Sequence, residues 1–198
     1  MWRLILLAFV LAGTGLQPIP AVAGDAGKLL QDLEASPPGW LPAPDKCPAD
    51  VMPARETPLD YSIEQCAAAP EGCLRSCRTG NASDCYAAAL VLREIRHNRV
   101  SEALFLRACA LGIVSGCTNR AAGMERDEGP ACAIQTYQKA CDRDDPWACT
   151  MIGFHLARGI GVAEDRERAR QALSKSCRFG ESDQACEYAK RLMEELGD

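Results

Sequence analysis

The chain has 198 residues, 47% of them hydrophobic and only 6% aromatic, with a formal charge of −5. That length leaves room for one domain with a sizeable core, the apolar content excludes disorder over most of the chain, and the low aromatic content fits Ala- and Leu-rich helical packing. The acidic balance, with basic residues scattered and no block of five, argues against nucleic acid and anionic membranes as partners.

At the N-terminus Met1-Trp2-Arg3 precedes an apolar run from Leu4 to Ala12, then Gly, Thr and Pro residues, and finally Ala21-Val22-Ala23. This pattern predicts a secretory signal peptide over residues 1–23, cleaved before Gly24. The unbroken run falls well short of the roughly 20 apolar residues that span a bilayer, so no stable membrane insertion is expected after cleavage. A lipoprotein box would need Cys after Leu11-Ala12-Gly13, and Thr14 stands there. Loss of Arg3 with the leader leaves 21 basic and 27 acidic residues, a formal charge of about −6. All 12 cysteines lie after residue 46. An even cysteine count in an exported chain predicts disulfides and a periplasmic or secreted protein, not thiol chemistry.

Residues 24–58 form a Pro-rich lead. Seven of the 12 prolines fall between Pro37 and Pro58, which predicts an extended segment after a short helix at Ala26 to Ala35. Trp40 and Cys47 predict that part of the lead docks on the C-terminal remainder of the chain.

From residue 59 to 198 the cysteines keep a period. Cys77 and Cys85, Cys109 and Cys117, and Cys141 and Cys149 form three C-x7-C pairs, each displaced by 32 residues, and Cys177 and Cys186 form a fourth with one extra residue between them. A period near 32 to 36 marks a two-helix solenoid. The stretches ending in Cys109, Cys141 and Cys177 each begin small, carry bulk in the middle and end small-Cys, so that a neighbouring backbone can approach one helix face. Four residues after the second cysteine of each pair come Ala89, Ala121, Gly153 and Lys190. The first three are close-contact positions, and the lysine marks a terminal helix with no neighbour on that side, a C-terminal cap over about residues 182–196. Turns are predicted at Arg96-His97-Asn98-Arg99, at Asp127-Glu128-Gly129-Pro130, and at Gly159-Ile160-Gly161-Val162, where Gly159 can end a helix and Asp165 sits at the start of the next.

The Gly159-Ile-Gly161-Val162 turn, the segments Ala133 to Cys141 and Ala169 to Cys177, and Gly116-Cys117 resemble the Sel1-like repeat family, in particular its cysteine-rich bacterial branch, the Helicobacter cysteine-rich proteins. The resemblance covers about residues 69 to 196. It implies an all-α fold, an α/α solenoid of Sel1-like (TPR-like) helical hairpins stapled by disulfides. It also implies the bridges Cys77–Cys85, Cys109–Cys117, Cys141–Cys149 and Cys177–Cys186, each joining the second helix of one repeat to the first helix of the next. The Gly-x-Gly-Val turn is missing from two repeats, and the Cys177–Cys186 loop is longer than the rest. The physics of short loops supports the same pairing, since the two cysteines end and open neighbouring helices, and closing such a loop stabilises by roughly 2 to 3 kcal/mol. Cys47, Cys66, Cys73 and Cys132 admit three connectivities. Cys66–Cys73 has a near-repeat spacing and Cys47–Cys132 would clamp the lead onto the array, which favours that pair of bridges.

Members of this branch have been described as penicillin-binding or weakly β-lactamase-like, so the resemblance brings a β-lactam- or peptidoglycan-binding hydrolase as the alternative function. The residues do not supply the machinery. No serine has Lys three residues later; Ser174 and Lys175 are adjacent, whereas the serine enzymes use S-x-x-K. Zinc needs clustered ligands, and the only histidines are His97 and His155. Met151 and His155 stand one helical turn apart, which suits ordinary packing better than haem ligation. No metal site, cofactor or catalytic residue is expected. The remaining function is binding: a monomeric scaffold or adaptor for a protein or peptide, with contact candidates Tyr86, Arg93, Asn119, Arg120, Met151 and His155 on the first helices, which line the concave side of two-helix solenoids. Arg120 stands in a column otherwise held by Ala88, Ile152 and Ala189, which suggests an anchor for a partner carboxylate or a side chain that snorkels to solvent.

Overall fold

A computed structural model describes residues 20–96 and 98–197. Residues 1–19, which hold most of the predicted leader, and His97 lie outside the described residues. The described chain is all helical, with no strand among those residues. The elements are α1 (Pro20–Ala35), α2 (Pro48–Val51), α3 (Ile63–Ala68), α4 (Pro70–Arg78), α5 (Ala82–Ile95), α6 (Arg99–Ala110), α7 (Val114–Glu128), α8 (Pro130–Cys141), α9 (Pro146–Arg158), α10 (Arg166–Lys175) and α11 (Gln184–Leu196). From α4 onward each helix packs against the next, so the array is a stack of hairpins with α11 at its end. No described helix is long and apolar enough to cross a membrane.

Local chemistry sets the helix ends. Asn81, Asn98, Asp145, Asp165 and Asp183 occupy N-caps, each with its side chain accepting a backbone N–H of the first turn, which satisfies a donor the helix cannot. Proline opens α4, α8 and α9, where its missing N–H costs nothing. Gly159 ends α9 at φ 64°, ψ 27°, a left-handed conformation that a side chain resists.

The core follows the repeat. Phe105, Tyr137 and Leu173 hold the same position, four residues before the first cysteine of their pairs, and all three are fully buried. Opposite them lie the small positions: Ala89 and Ala121 are fully buried, and a Cβ on Gly153 would stand 2.6 Å from Leu173 Cγ. In α11 the inner face is Ala185, Cys186 and Ala189, while Lys190 points out and pairs with Glu181 at 3.3 Å.

Six disulfides cross-link the chain. Cys77–Cys85, Cys109–Cys117, Cys141–Cys149 and Cys177–Cys186 each join the end of one helix to the start of the next, with Cα–Cα distances of 4.6, 4.6, 4.5 and 4.4 Å. Cys66–Cys73 joins α3 to α4, and Cys47–Cys132 joins the lead to α8 across 85 residues of sequence.

The lead is less extended than its prolines suggest. Helix α1 reaches back to Pro20, buries Ala26 and Leu30 one turn apart, and packs on α5 and α6. A further turn forms at α2, where Pro48 stands first and Asp50 adds negative charge, both favourable at a helix start. Between and beyond these helices the lead runs over α6, α7 and α8. Thr57 closes its far end, donating from N to Gly112 O at 3.0 Å and from Oγ1 to Leu111 O at 2.7 Å.

Candidate functional site

The first helices of the hairpins, α5, α7, α9 and α11, present a shared face whose columns are fixed by the cysteine period. Two residues after the second cysteine stand Ala87, Asn119, Met151 and Tyr188. Three of the predicted contact residues meet between α5 and α7. Arg93 Nη1 donates to Asn119 Oδ1 at 2.5 Å, and Asn119 Nδ2 donates to Tyr86 Oη at 3.2 Å and to Ser115 O at 2.8 Å. Tyr86 is buried, its ring edge-on to Tyr61 at 5.1 Å and to Phe105 at 5.8 Å, and burial pushes its hydroxyl well above the usual tyrosine range. Arg93 stacks over Phe105 at 5.2 Å, so its guanidinium is held by a ring and an amide and keeps one edge half-exposed. Asn119 and Met151 are likewise half-buried.

Below this face Asp145, the N-cap of α9, is almost fully buried. It accepts from Ser115 Oγ at 2.6 Å, Thr118 Oγ1 at 3.0 Å and Ala148 N at 2.9 Å. Burial raises its pKa above the ordinary aspartate value, against the lowering effect of those hydrogen bonds.

Besides Tyr86, two more of the predicted contact residues, Arg120 and His155, are buried. Arg120 neither snorkels nor waits for a carboxylate: its side chain is 5% exposed and lies 3.1 Å from Glu102 Oε2. Its Nε donates to Pro44 O at 2.8 Å, and Nη2 reaches the same oxygen. A guanidinium in a buried column must find charge and acceptors within the fold, and Glu102 supplies the charge from the preceding helix. Room for that carboxylate comes from Gly123, whose Cβ would fall 2.3 Å from Glu102 Oε2.

His155 is also fully buried. Its Nδ1 lies 2.9 Å from Ile160 O, and its Nε2 lies 3.1 Å from Glu125 Oε1, within ion-pair range but off the line of a good hydrogen bond. Tyr137 donates its hydroxyl to Glu125 Oε2 at 2.9 Å, and burial, then the carboxylate, push that hydroxyl far above the ordinary tyrosine range. The His155–Glu125–Tyr137 cluster therefore ties α7, α8 and α9 to the Gly159–Ile160 turn. Both ring nitrogens are enclosed, one against Ile160 O and the other beside Glu125 Oε1, and the ring does not reach the surface. Among the described residues no group of three His, Cys, Asp or Glu is placed to hold a metal ion.

The exposed part of the face lies where residue-type reasoning did not look. Trp147 and Tyr188 are 38% and 51% exposed, their rings 5.6 Å apart, and Arg191 lies 4.2 Å over the Tyr188 ring. Tyr188 shares its column with Asn119 and Met151, so the cysteine period alone could have found it. Trp147 precedes Met151 by one helical turn. Such rings can bury area and orient a partner.

No protein-family model matches the chain, and no curated protein matches it either. Among solved structures it is similar to Helicobacter pylori cysteine rich protein B, at 24% identity and a TM-score of 0.47, over 63% of this chain and 95% of that one.

Proposed function

We propose that this chain is an exported, disulfide-stapled helical-repeat scaffold that holds a protein or peptide partner on the face of α5, α7, α9 and α11, in the periplasm or outside the cell, and works as a monomer. The observation that supports it most is the pair of large, exposed aromatics, Trp147 and Tyr188, on stacked helices, with Arg191 over one ring. Trp, Tyr and Arg are the residue types that dominate binding energy at protein interfaces, and rigid helices present them with little entropy left to lose. All twelve cysteines are paired, which suits an oxidising compartment. The half-exposed Asn119, Arg93 and Met151 extend the same face toward the N-terminal repeats, where Asn119 and Arg93 would supply polar contacts and Met151 an apolar one.

The test uses the mature, oxidised protein immobilised and challenged with envelope extract, beside a Trp147→Ala/Tyr188→Ala variant whose helicity and melting are checked. Loss of an anchor pair worth about 2 kcal/mol or more would weaken capture of a specific partner on the order of 30-fold. Capture of the same partner with equal affinity by the folded variant removes this face from the function.

A further inference from the structure

The lead is held to the array in one recurring way. Arg107 Nη1 donates to Trp40 O at 3.1 Å, Arg120 Nε to Pro44 O at 2.8 Å, Lys139 Nζ to Ala49 O at 2.9 Å and Arg143 Nη1 to Pro53 O at 2.5 Å. These four cations come from α6, α7, α8 and the turn after α8, and their acceptors are spaced four, five and four residues along the lead. Each cation contacts a main-chain oxygen and no charged side chain of the lead in these bonds. The pattern suits proline-rich chain, which lacks N–H groups to pair its own carbonyls and leaves them outward, whereas Arg and Lys carry donors only. The Arg107 guanidinium also lies 5.1 Å from the Trp40 ring centroid, which adds one side-chain contact to the main-chain contacts.

A covalent latch sits midway. Cys47–Cys132 is the one bridge of the six in which both cysteines are half-buried; in each of the others at least one is buried. We propose that the face beneath residues 40–57 is a second binding surface, distinct from the face of α5, α7, α9 and α11, that takes a proline-rich segment by its main-chain carbonyls. This chain's own lead is the resident occupant, and reduction of Cys47–Cys132 by a dithiol frees the face for such a segment from another protein. The chemistry is thiol–disulfide exchange. A thiolate of the dithiol attacks one sulfur of the bridge and the other leaves as a thiolate that takes up a proton. The second thiol of the reductant then resolves the mixed disulfide, so the bridge gains two electrons and two protons and the dithiol becomes a disulfide. Both cysteines of Cys47–Cys132 are half-buried, whereas every other bridge keeps at least one cysteine buried, so this bridge is the more open to the dithiol and the others keep the array folded.

The probe is a synthetic peptide with the sequence of residues 38–58 and Cys47 replaced by Ser, labelled with a fluorophore, beside a scrambled peptide of the same composition. Both are titrated into the oxidised full chain, into the same chain after mild dithiol treatment with opening of Cys47–Cys132 alone verified by thiol-labelling mass spectrometry, and into a Cys47→Ala/Cys132→Ala variant. Hydrogen exchange of residues 40–57 is followed in parallel. Opening is expected to tighten binding of the lead peptide at least tenfold, to leave the scrambled peptide unaffected, and to speed exchange in residues 40–57 while α5 to α9 stay protected. Unchanged exchange in residues 40–57, equal affinity of oxidised and opened chains, or equal gain for the scrambled peptide each overturns the proposal. The dithiol-treated natural chain carries the result if the double variant fails to fold.

Discussion

Arg120 and Glu102 stand 32 residues before Ile152 and Ile134, both of which belong to the buried core of the following repeat. One repeat thus holds an ion pair where the next holds two isoleucines. The sequence column singled out Arg120 as an anomaly but not its partners, because Glu102 lies on another helix and the Pro44 carbonyl is 76 residues away. Removing one member of a buried ion pair costs up to about 3 to 5 kcal/mol, whereas replacing the whole pair by apolar groups is often neutral; Arg126 Nη2, 3.9 Å from Glu102 Oε1, would still face the carboxylate. Arg120→Ala is therefore expected to lower unfolding free energy by up to that amount in urea titration, and Glu102→Ile/Arg120→Ile to recover most of it. A double variant as unstable as the single one would show that the Pro44 bond, not the pair, carries the effect. Asp145 gives a second expectation with a sign. Burial raises its folded-state pKa, so the folded state binds this proton more tightly than the unfolded one. Its contribution to stability is fully present below the unfolded aspartate value, near pH 4, and is lost as pH rises through the folded value. Asparagine already caps the corresponding helix at Asn81. Asp145→Asn should thus be at least as stable as the natural protein at pH 7 and should flatten the decline that sets in above about pH 4. Urea midpoints measured across that range decide it, and a variant less stable at pH 7 contradicts the assignment.

Helices of the array were legible because their signals are local and repeated: cysteine period, small residues at the contact column, turn residues between the helices, and Gly159 at a left-handed turn with Asp165 at the next helix start. The lead was not. Its prolines told of a segment without regular hydrogen bonds, but the cations that hold it lie 67 to 90 residues further on, and no period links donors to acceptors at that range. The proposed binding face falls between the two. Tyr86 and Asn119 lie on α5 and α7, yet Tyr86, about one helical turn before the small contact position Ala89, turns inward into the adjoining core, while Trp147 and Tyr188 stay exposed. The contact column itself carries a testable coupling. Gly153 faces Leu173, and the corresponding pairs in earlier repeats are Ala121 with Tyr137 and Ala89 with Phe105. A branched Leu173 that is fully buried cannot swing aside, and a Cβ on Gly153 would stand 2.6 Å from its Cγ. Overpacking costs about 1 to 3 kcal/mol, against about 1 kcal/mol gained from helix propensity. Gly153→Ala should therefore lose on the order of 1 kcal/mol on thermal unfolding; a gain in stability would mean that α9 and α10 can separate without cost.

In the molecule as a whole, five of the six disulfides are local, with sequence separations of 7 to 9, and the sixth spans 85. A stack in which each hairpin touches only its neighbours behaves as a one-dimensional chain of units, and local staples strengthen each unit without joining distant ones. Cys47–Cys132 differs because the lead it pins lies against α6, α7 and α8 together, so that one strap couples two hairpins. In the loop-entropy model a bridge of that span is worth about 4 to 5 kcal/mol, against about 2 to 3 for a hairpin staple. Cys47→Ala/Cys132→Ala should have two effects. The urea midpoint should fall by more than it does for any single hairpin bridge removed in the same way. The transition should also broaden, with a smaller m, as hairpins under the strap begin to unfold separately. The matched control is Cys141→Ala/Cys149→Ala, which should lower the midpoint while leaving the transition as steep as in the natural protein. Equal steepness in both variants would locate the cooperativity of the array in its helix contacts alone and leave the strap a passenger.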